Sequence, residues 1–212
     1  MTDLNAGAEL ASPAYGAFGW VRRMGIHFAY HQSTANRVIH AFFIPLELFA
    51  LVLLTSQLKI GGVAFALILL ALLAPIYIAT EPLIGSLMTA LLLAMYALVT
   101  NLFPEPSWIA AGIAASIFAS SFVVQTQVGH GVCEGGPDDT DCNFAEFFET
   151  RNPVPLILVF YYHLVAAVLA TGYRPELRRR IAQVRDSEIE ALAARSGNCE
   201  LAGGTRRVIV QS

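Results

Sequence analysis

Arg37-Val38-Ile39-His40-Ala41-Phe42-Phe43-Ile44-Pro45-Leu46-Glu47-Leu48-Phe49-Ala50-Leu51-Val52-Leu53-Leu54-Thr55 is the stretch whose reading decides the fold. It is nearly unbroken in apolar character, and it approaches the ~20 residues that cross a ~30 Å hydrocarbon core. Four more segments of the same kind follow, at residues 60–79, 83–101, 108–125 and 153–171. The breaks between the first four are short and carry turn chemistry: Lys59 with Gly61-Gly62, then Thr80-Glu81-Pro82, then Pro104-Glu105-Pro106-Ser107. Such tight connections make neighbouring helices antiparallel. Pro45 and Pro75 lie inside segments, where a missing amide hydrogen predicts a kink.

Composition agrees. Of 212 residues, 56% are hydrophobic and 14% charged, against roughly a quarter charged in soluble domains. The expected fold is all-α, a polytopic membrane helix bundle of four to five hydrophobic segments. An N-terminal interfacial helix at residues 16–32 precedes the bundle, with Trp20 and Tyr30 at headgroup depth. A cytoplasmic amphipathic helix and tail follow it. The chain divides into a flexible start (1–15), a membrane-embedded catalytic domain (16–172) and a C-terminal part (173–212). The opening residues lack the order of features expected of a signal peptide. The net charge of −3 says little, because the charges sit at the ends and in one loop, but the basic residues form no stripe interleaved with aromatics and so no nucleic-acid surface.

Arginines set the topology. Arg22, Arg23 and Arg37 precede the first segment; Arg174, Arg178, Arg179, Arg180 and Arg185 follow the last. The positive-inside rule then wants both termini in the cytoplasm. Five segments are odd, so one is re-entrant or partly inserted. The last, with Pro153, Pro155, Tyr161, Tyr162 and His163, is the most polar and the best fit.

Three of the five histidines fall in two compact motifs at the membrane boundary. The first is Tyr30-His31-Gln32-Ser33-Thr34-Ala35-Asn36-Arg37-Val38-Ile39-His40; the second is Gly129-His130-Gly131-Val132-Cys133-Glu134. Imidazoles and carboxylates are costly to hold there without a task. On one continuous helix His31 and His40 point to opposite sides, so they share a metal only across a helix break. Thr34 or Asn36 is a suitable N-cap for a helix starting near Arg37, and Asn36 then serves as cap and supporting amide together. His130 and Glu134 are four apart, and Gly129 and Gly131 allow close backbone approach. Two readings stand for His27, a ligand or an interfacial histidine, and two for His163, a ligand or a core histidine bonded to a tyrosine. Cys133 and Cys142 either pair or remain free thiols. Asp138, Asp139 and Asp141 form an acidic turn without the spacing of an EF-hand.

Imidazoles with a carboxylate and no thiolate favour non-haem Fe(II), with zinc or manganese as alternatives. The membrane setting points to a lipid-like substrate entering from the bilayer.

The order of an aromatic residue before His31, Asn36 and His40 before Ile44-Pro45, then Gly129-His130-Gly131 with Glu134, resembles the 2-hydroxy fatty acid dioxygenase family. That family includes a member of the endoplasmic reticulum active in phytosphingosine breakdown. The resemblance covers residues 28–171. It implies an Fe(II)-dependent α-oxidation in which a 2-hydroxy fatty acid and O₂ yield a fatty acid one carbon shorter. It further implies His31, His40 and His130 as metal ligands, and Asn36 and Glu134 as the accompanying amide and carboxylate; His163 has no counterpart in the family's pattern and stands as a further candidate ligand on its own residues. The chain departs from the family in a longer, acidic stretch at residues 135–151. A bacterial inner membrane and the endoplasmic reticulum fit equally well.

Two other classes compete. A hydroxylase- or desaturase-like metalloenzyme needs more histidine boxes than five histidines supply. A membrane transporter or scaffold would use the histidines to tune packing or sense pH.

Overall fold

The structure, a computed structural model, describes residues 16–133 and 153–201, without the side chains of 155, 156 and 194–201. Glu134, the acidic turn and Cys142 lie outside the described residues, as does the side chain of Cys199. A single 3₁₀ turn, Ala17–Gly19, leads into α1, Trp20–Tyr30. Then come α2, Thr34–Ser56; the strands β1, Lys59–Ile60, and β2, Val63–Ala64; α3, Phe65–Thr80; and α4, Pro82–Leu102. Helix α5, Trp108–Val123, continues as a π-helix over Val124–Val132, and α6, Val154–Ala170, and α7, Pro175–Leu201, complete the described elements.

Among the described residues, three helices are long and apolar enough to cross a membrane: Thr34–Ser56, Pro82–Leu102 and Trp108–Val132. Phe65–Thr80 and Ile157–Ala170 are apolar but shorter. The expected 60–79 segment is trimmed because Gly61 and Gly62, both at positive φ, close a two-residue turn pairing Ile60 with Val63. Helix α3 therefore begins at Phe65. Pro45 and Pro75 both lie inside continuous helices.

Helix α4 shows why a membrane suits this bundle. Ile84, Met88, Leu92 and Val99 are buried, while Leu83, Leu87, Leu91, Leu98 and Leu102 face outward on the same repeat. The outward face thus carries five leucines, which suits a lipid surround better than water. Its start is held by Pro82 at the first turn and by Glu81, whose carboxylate accepts from the Ile84 amide at 2.8 Å.

The helices pack in opposed directions. Ser107 N–H donates to Gln57 Oε1 at 2.8 Å where α5 begins and α2 ends. Ser121 meets Glu47 midway, and His130 meets His40 at the far end. Helix α6 runs the same way as α5. Tyr77 Oη donates to the Ile157 carbonyl near its start, and Tyr161 stacks on Tyr77 at 5.3 Å. Beyond its end, Tyr173 and Arg174 reach buried Glu81 at 2.9 and 3.0 Å. The last apolar segment thus finishes at the end of the bundle where the α3–α4 turn lies.

Two details differ from the sequence reading. Trp20 is not a headgroup anchor: it is 2% exposed and sits edge-on to Tyr161 at 6.4 Å. Helix α1 is covered by α7, and a Cβ on Gly25 would collide with Cβ of Val184 at 2.6 Å. The charged C-terminal helix therefore braces the helix that carries His27 and leads into His31.

Candidate metal centre

The centre begins with a cap. The Ser33 hydroxyl accepts from the Asn36 amide N–H at 3.4 Å and starts α2 at Thr34. Helix α1 ends at Tyr30, so the break falls at residues 31–33, earlier than the sequence reading placed it. The cap is Ser33, not Thr34 or Asn36, because its hydroxyl precedes the first helical turn. His31 is left on the break and His40 in the second turn of α2. Their rings meet edge-on, with centroids 4.6 Å apart.

The third imidazole arrives from α5 through the π-helix. A π-helix closes i→i+5 bonds, as Cys133 N–H does to the Val128 carbonyl at 3.0 Å, so each turn takes up an extra residue. Gln125 and His130, five apart, then come round to the same side of the helix. In a regular α-helix the fifth residue falls about 140° round the axis. Close approach is completed at Gly129, where a Cβ would run into Asn36 Oδ1 and sit 3.6 Å from His40 Cε1. Any side chain there would force Asn36 or the two helices to shift.

The histidine ring contacts fix the chemistry. His31 Nδ1 lies 2.7 Å from the His27 carbonyl, and His40 Nδ1 lies 3.0 Å from the Asn36 carbonyl. A carbonyl only accepts, so both Nδ1 atoms carry the proton and both Nε2 atoms present acceptor lone pairs in the neutral rings. Burial, and then the neighbouring His27 and His40, hold the His31 pKa well below the usual imidazole range, so it is neutral at pH 7. Yet His31 Nε2 and His40 Nε2 face each other at 3.4 Å, and His130 Nε2 lies 3.3 Å from His40 Nε2. Two acceptor nitrogens brought this close repel each other unless a proton or a metal ion lies between them. Imidazole nitrogens bound at ~2.0–2.1 Å to one metal stand about 3.0–3.4 Å apart, a spacing matched by the His31–His40 and His130–His40 pairs. All three ligand atoms lie within 4.8 Å of one another and all three residues are buried: three histidines that could hold a metal ion.

The remaining expected residues divide. His163 joins the cluster, stacked on His40 with centroids 5.6 Å apart and edge-on to His27 at 5.4 Å, but outside the three converging nitrogens. His27 stacks on His31 at 4.0 Å, as their four-residue spacing foretells. All five histidines therefore gather in one place. Asn36 is fully buried beside the site, and neither atom of its side-chain amide has a hydrogen-bond partner among the described residues. Glu134 lies outside the described residues.

Sequence reasoning missed Glu47. It sits in the middle of α2 and its Oε1 accepts from Ser121 Oγ at 2.6 Å and Gln125 Nε2 at 2.7 Å. The signal was available: a carboxylate inside an apolar run. Beyond the centre, an apolar cavity of about 250 Å³ opens between α2, α3, α4 and α6, lined by Leu48, Val52, Leu73, Tyr77, Leu92 and Phe160 among others.

No family model matches the chain, and comparisons with curated proteins and with solved structures likewise return no match.

Proposed function

We propose that this protein is a membrane-embedded Fe(II)-dependent dioxygenase that carries out α-oxidation of a 2-hydroxy fatty acid, shortening it by one carbon. The observation that carries the reading is the convergence of three histidine Nε2 atoms, two of them with Nδ1 protons committed to backbone carbonyls. His31, His40 and His130 would hold the metal, and a site of imidazoles without thiolate suits iron better than softer metals. Iron bound there would supply activation of O₂ and a Lewis-acidic anchor for the substrate.

The chain's own groups do the rest. Three histidine ligands leave coordination positions for exogenous oxygen donors. Asn36, buried with its amide unpartnered, is placed to hydrogen-bond a substrate carboxylate or hydroxyl held at the centre. Burial of His31, His40 and His130 keeps bulk water from the site. The apolar cavity beyond His40 favours a lipid tail, and the arginines at the histidine end favour that end facing the cytoplasm. The overall reaction balances: one 2-hydroxy acid and one O₂ give the shortened acid, CO₂ and water.

The test is metal analysis of the purified protein, coupled to oxygen uptake and product mass with a 2-hydroxy fatty acid. The reading expects bound iron and a shortened acid formed in step with O₂ loss. Iron-loaded protein that consumes no O₂ and yields no shortened acid would overturn the reaction.

A further inference from the structure

We propose that Glu47 is a positioning residue for the histidine centre, holding the π-helical segment in the register that delivers His130 to His40. The inference rests on the metal reading of that centre.

Glu47 follows His40 by seven residues, two turns along α2 and within about 20° of the same face. Gln125 precedes His130 by five, at the start of the π-helical segment. The two helices are thus joined at two levels, by imidazoles at the boundary and by a carboxyl two turns deeper. The deeper joint is closed on itself: Ser121 Oγ and Gln125 Nε2 both donate to Glu47 Oε1, and Gln125 Nε2 also lies 2.7 Å from Ser121 Oγ. Ser121 is fully buried and Gln125 is 7% exposed. A carboxyl amid apolar side chains is expensive, and it persists where it makes bonds that nothing else there can replace.

What those bonds oppose is relaxation of the π-helix. An isolated stretch would revert to the α pattern, which carries the fifth residue beyond Gln125 away from α2. Anchoring Gln125 fixes one end of the segment, and the Gly129–Asn36 contact fixes the other. His130 stands immediately after that second contact.

The experiment uses the full chain in detergent or nanodiscs, with Co²⁺ as a spectroscopic probe of the site. Glu47→Leu should weaken Co²⁺ binding about 10–100-fold, the usual effect of losing an outer partner of a metal site. It should also change the visible bands of the bound ion while thermal unfolding stays cooperative. Glu47→Gln keeps an acceptor oxygen for Ser121 and Gln125, and should restore the wild-type bands and most of the affinity. Gln125→Leu reads the same joint from the other helix and carries the test where Glu47→Leu fails to fold: it should show the same loss of affinity and change of bands. Wild-type affinity and bands in Glu47→Leu or Gln125→Leu would overturn the proposal, as would failure of Glu47→Gln to restore them. A wild-type protein that binds no Co²⁺ would instead sink the metal reading, and this inference with it.

Discussion

Replacing Gly129 by alanine adds a single methyl group at the narrowest point of the centre. The new Cβ would overlap Asn36 Oδ1 and stand 3.4 Å from Asn36 Cγ and 3.6 Å from His40 Cε1. Asn36 cannot swing clear, because it is fully buried in the first turn of α2. Relief requires the π-helical segment and α2 to part by on the order of 1 Å, and overpacking of this kind costs about 1–3 kcal/mol. The same displacement acts on His130 Nε2 and His40 Nε2, now 3.3 Å apart. Opening that gap by ~1 Å leaves one nitrogen out of reach of a shared metal, so affinity should fall about 10–100-fold. Chelator competition with Co²⁺ or Fe²⁺ measures the affinity, and a thermal melt measures the packing cost. Asn36→Ala in the same chain removes the obstruction, so the double variant should recover metal affinity without recovering turnover. Wild-type affinity in Gly129→Ala alone would refute the reasoning.

Three shorter predictions follow from the same geometry. His40→Ala removes the imidazole shared by both close contacts, and should abolish metal binding and turnover while expression and membrane insertion stay near normal; loss of folded protein would make His40 structural. Ser33→Ala removes the α2 cap and should cost about 1 kcal/mol of stability, read as a lower melting temperature, with a few-fold weaker metal affinity because the cap also sets the break between His31 and His40. An unchanged melt would show that the hydroxyl is idle. Glu81→Gln weakens the joint to Arg174 and Tyr173, and because Arg174 is half exposed the loss should be only about 1–2 kcal/mol, with metal affinity unmoved. A fall in metal affinity in that variant would mean that the joint reaches the histidines.

The helices long and apolar enough to cross a membrane were legible because they rest on composition and run length, which a single sequence displays. The histidine centre was half legible. Spacing placed His31 and His40 across a break and named His130, but the break sits at Ser33 because a hydroxyl one residue earlier competes equally well for the cap. The π-helix left no trace, since period and propensity do not separate i→i+4 from i→i+5 bonding. His163 and His27 could not be placed from sequence because their position depends on how α6 and α1 pack. Trp20 was misread for a related reason: an aromatic at the edge of an apolar run suits an interface and a buried contact alike. Glu47 stands out as a carboxylate inside an apolar run, but its partners do not, because Ser121 and Gln125 come opposite it only through the packing of α5 on α2.

The central claim is that His31, His40 and His130 hold one metal ion. Anaerobic reconstitution with Fe²⁺, removal of loose metal, and counting of iron per chain in the wild type and in His40→Ala tests it most directly, with X-ray absorption to identify the donors. The account predicts one iron per chain in a nitrogen- and oxygen-donor shell with no sulfur, and none in the variant. A wild-type protein that retains no iron, or a variant that retains as much, would contradict it.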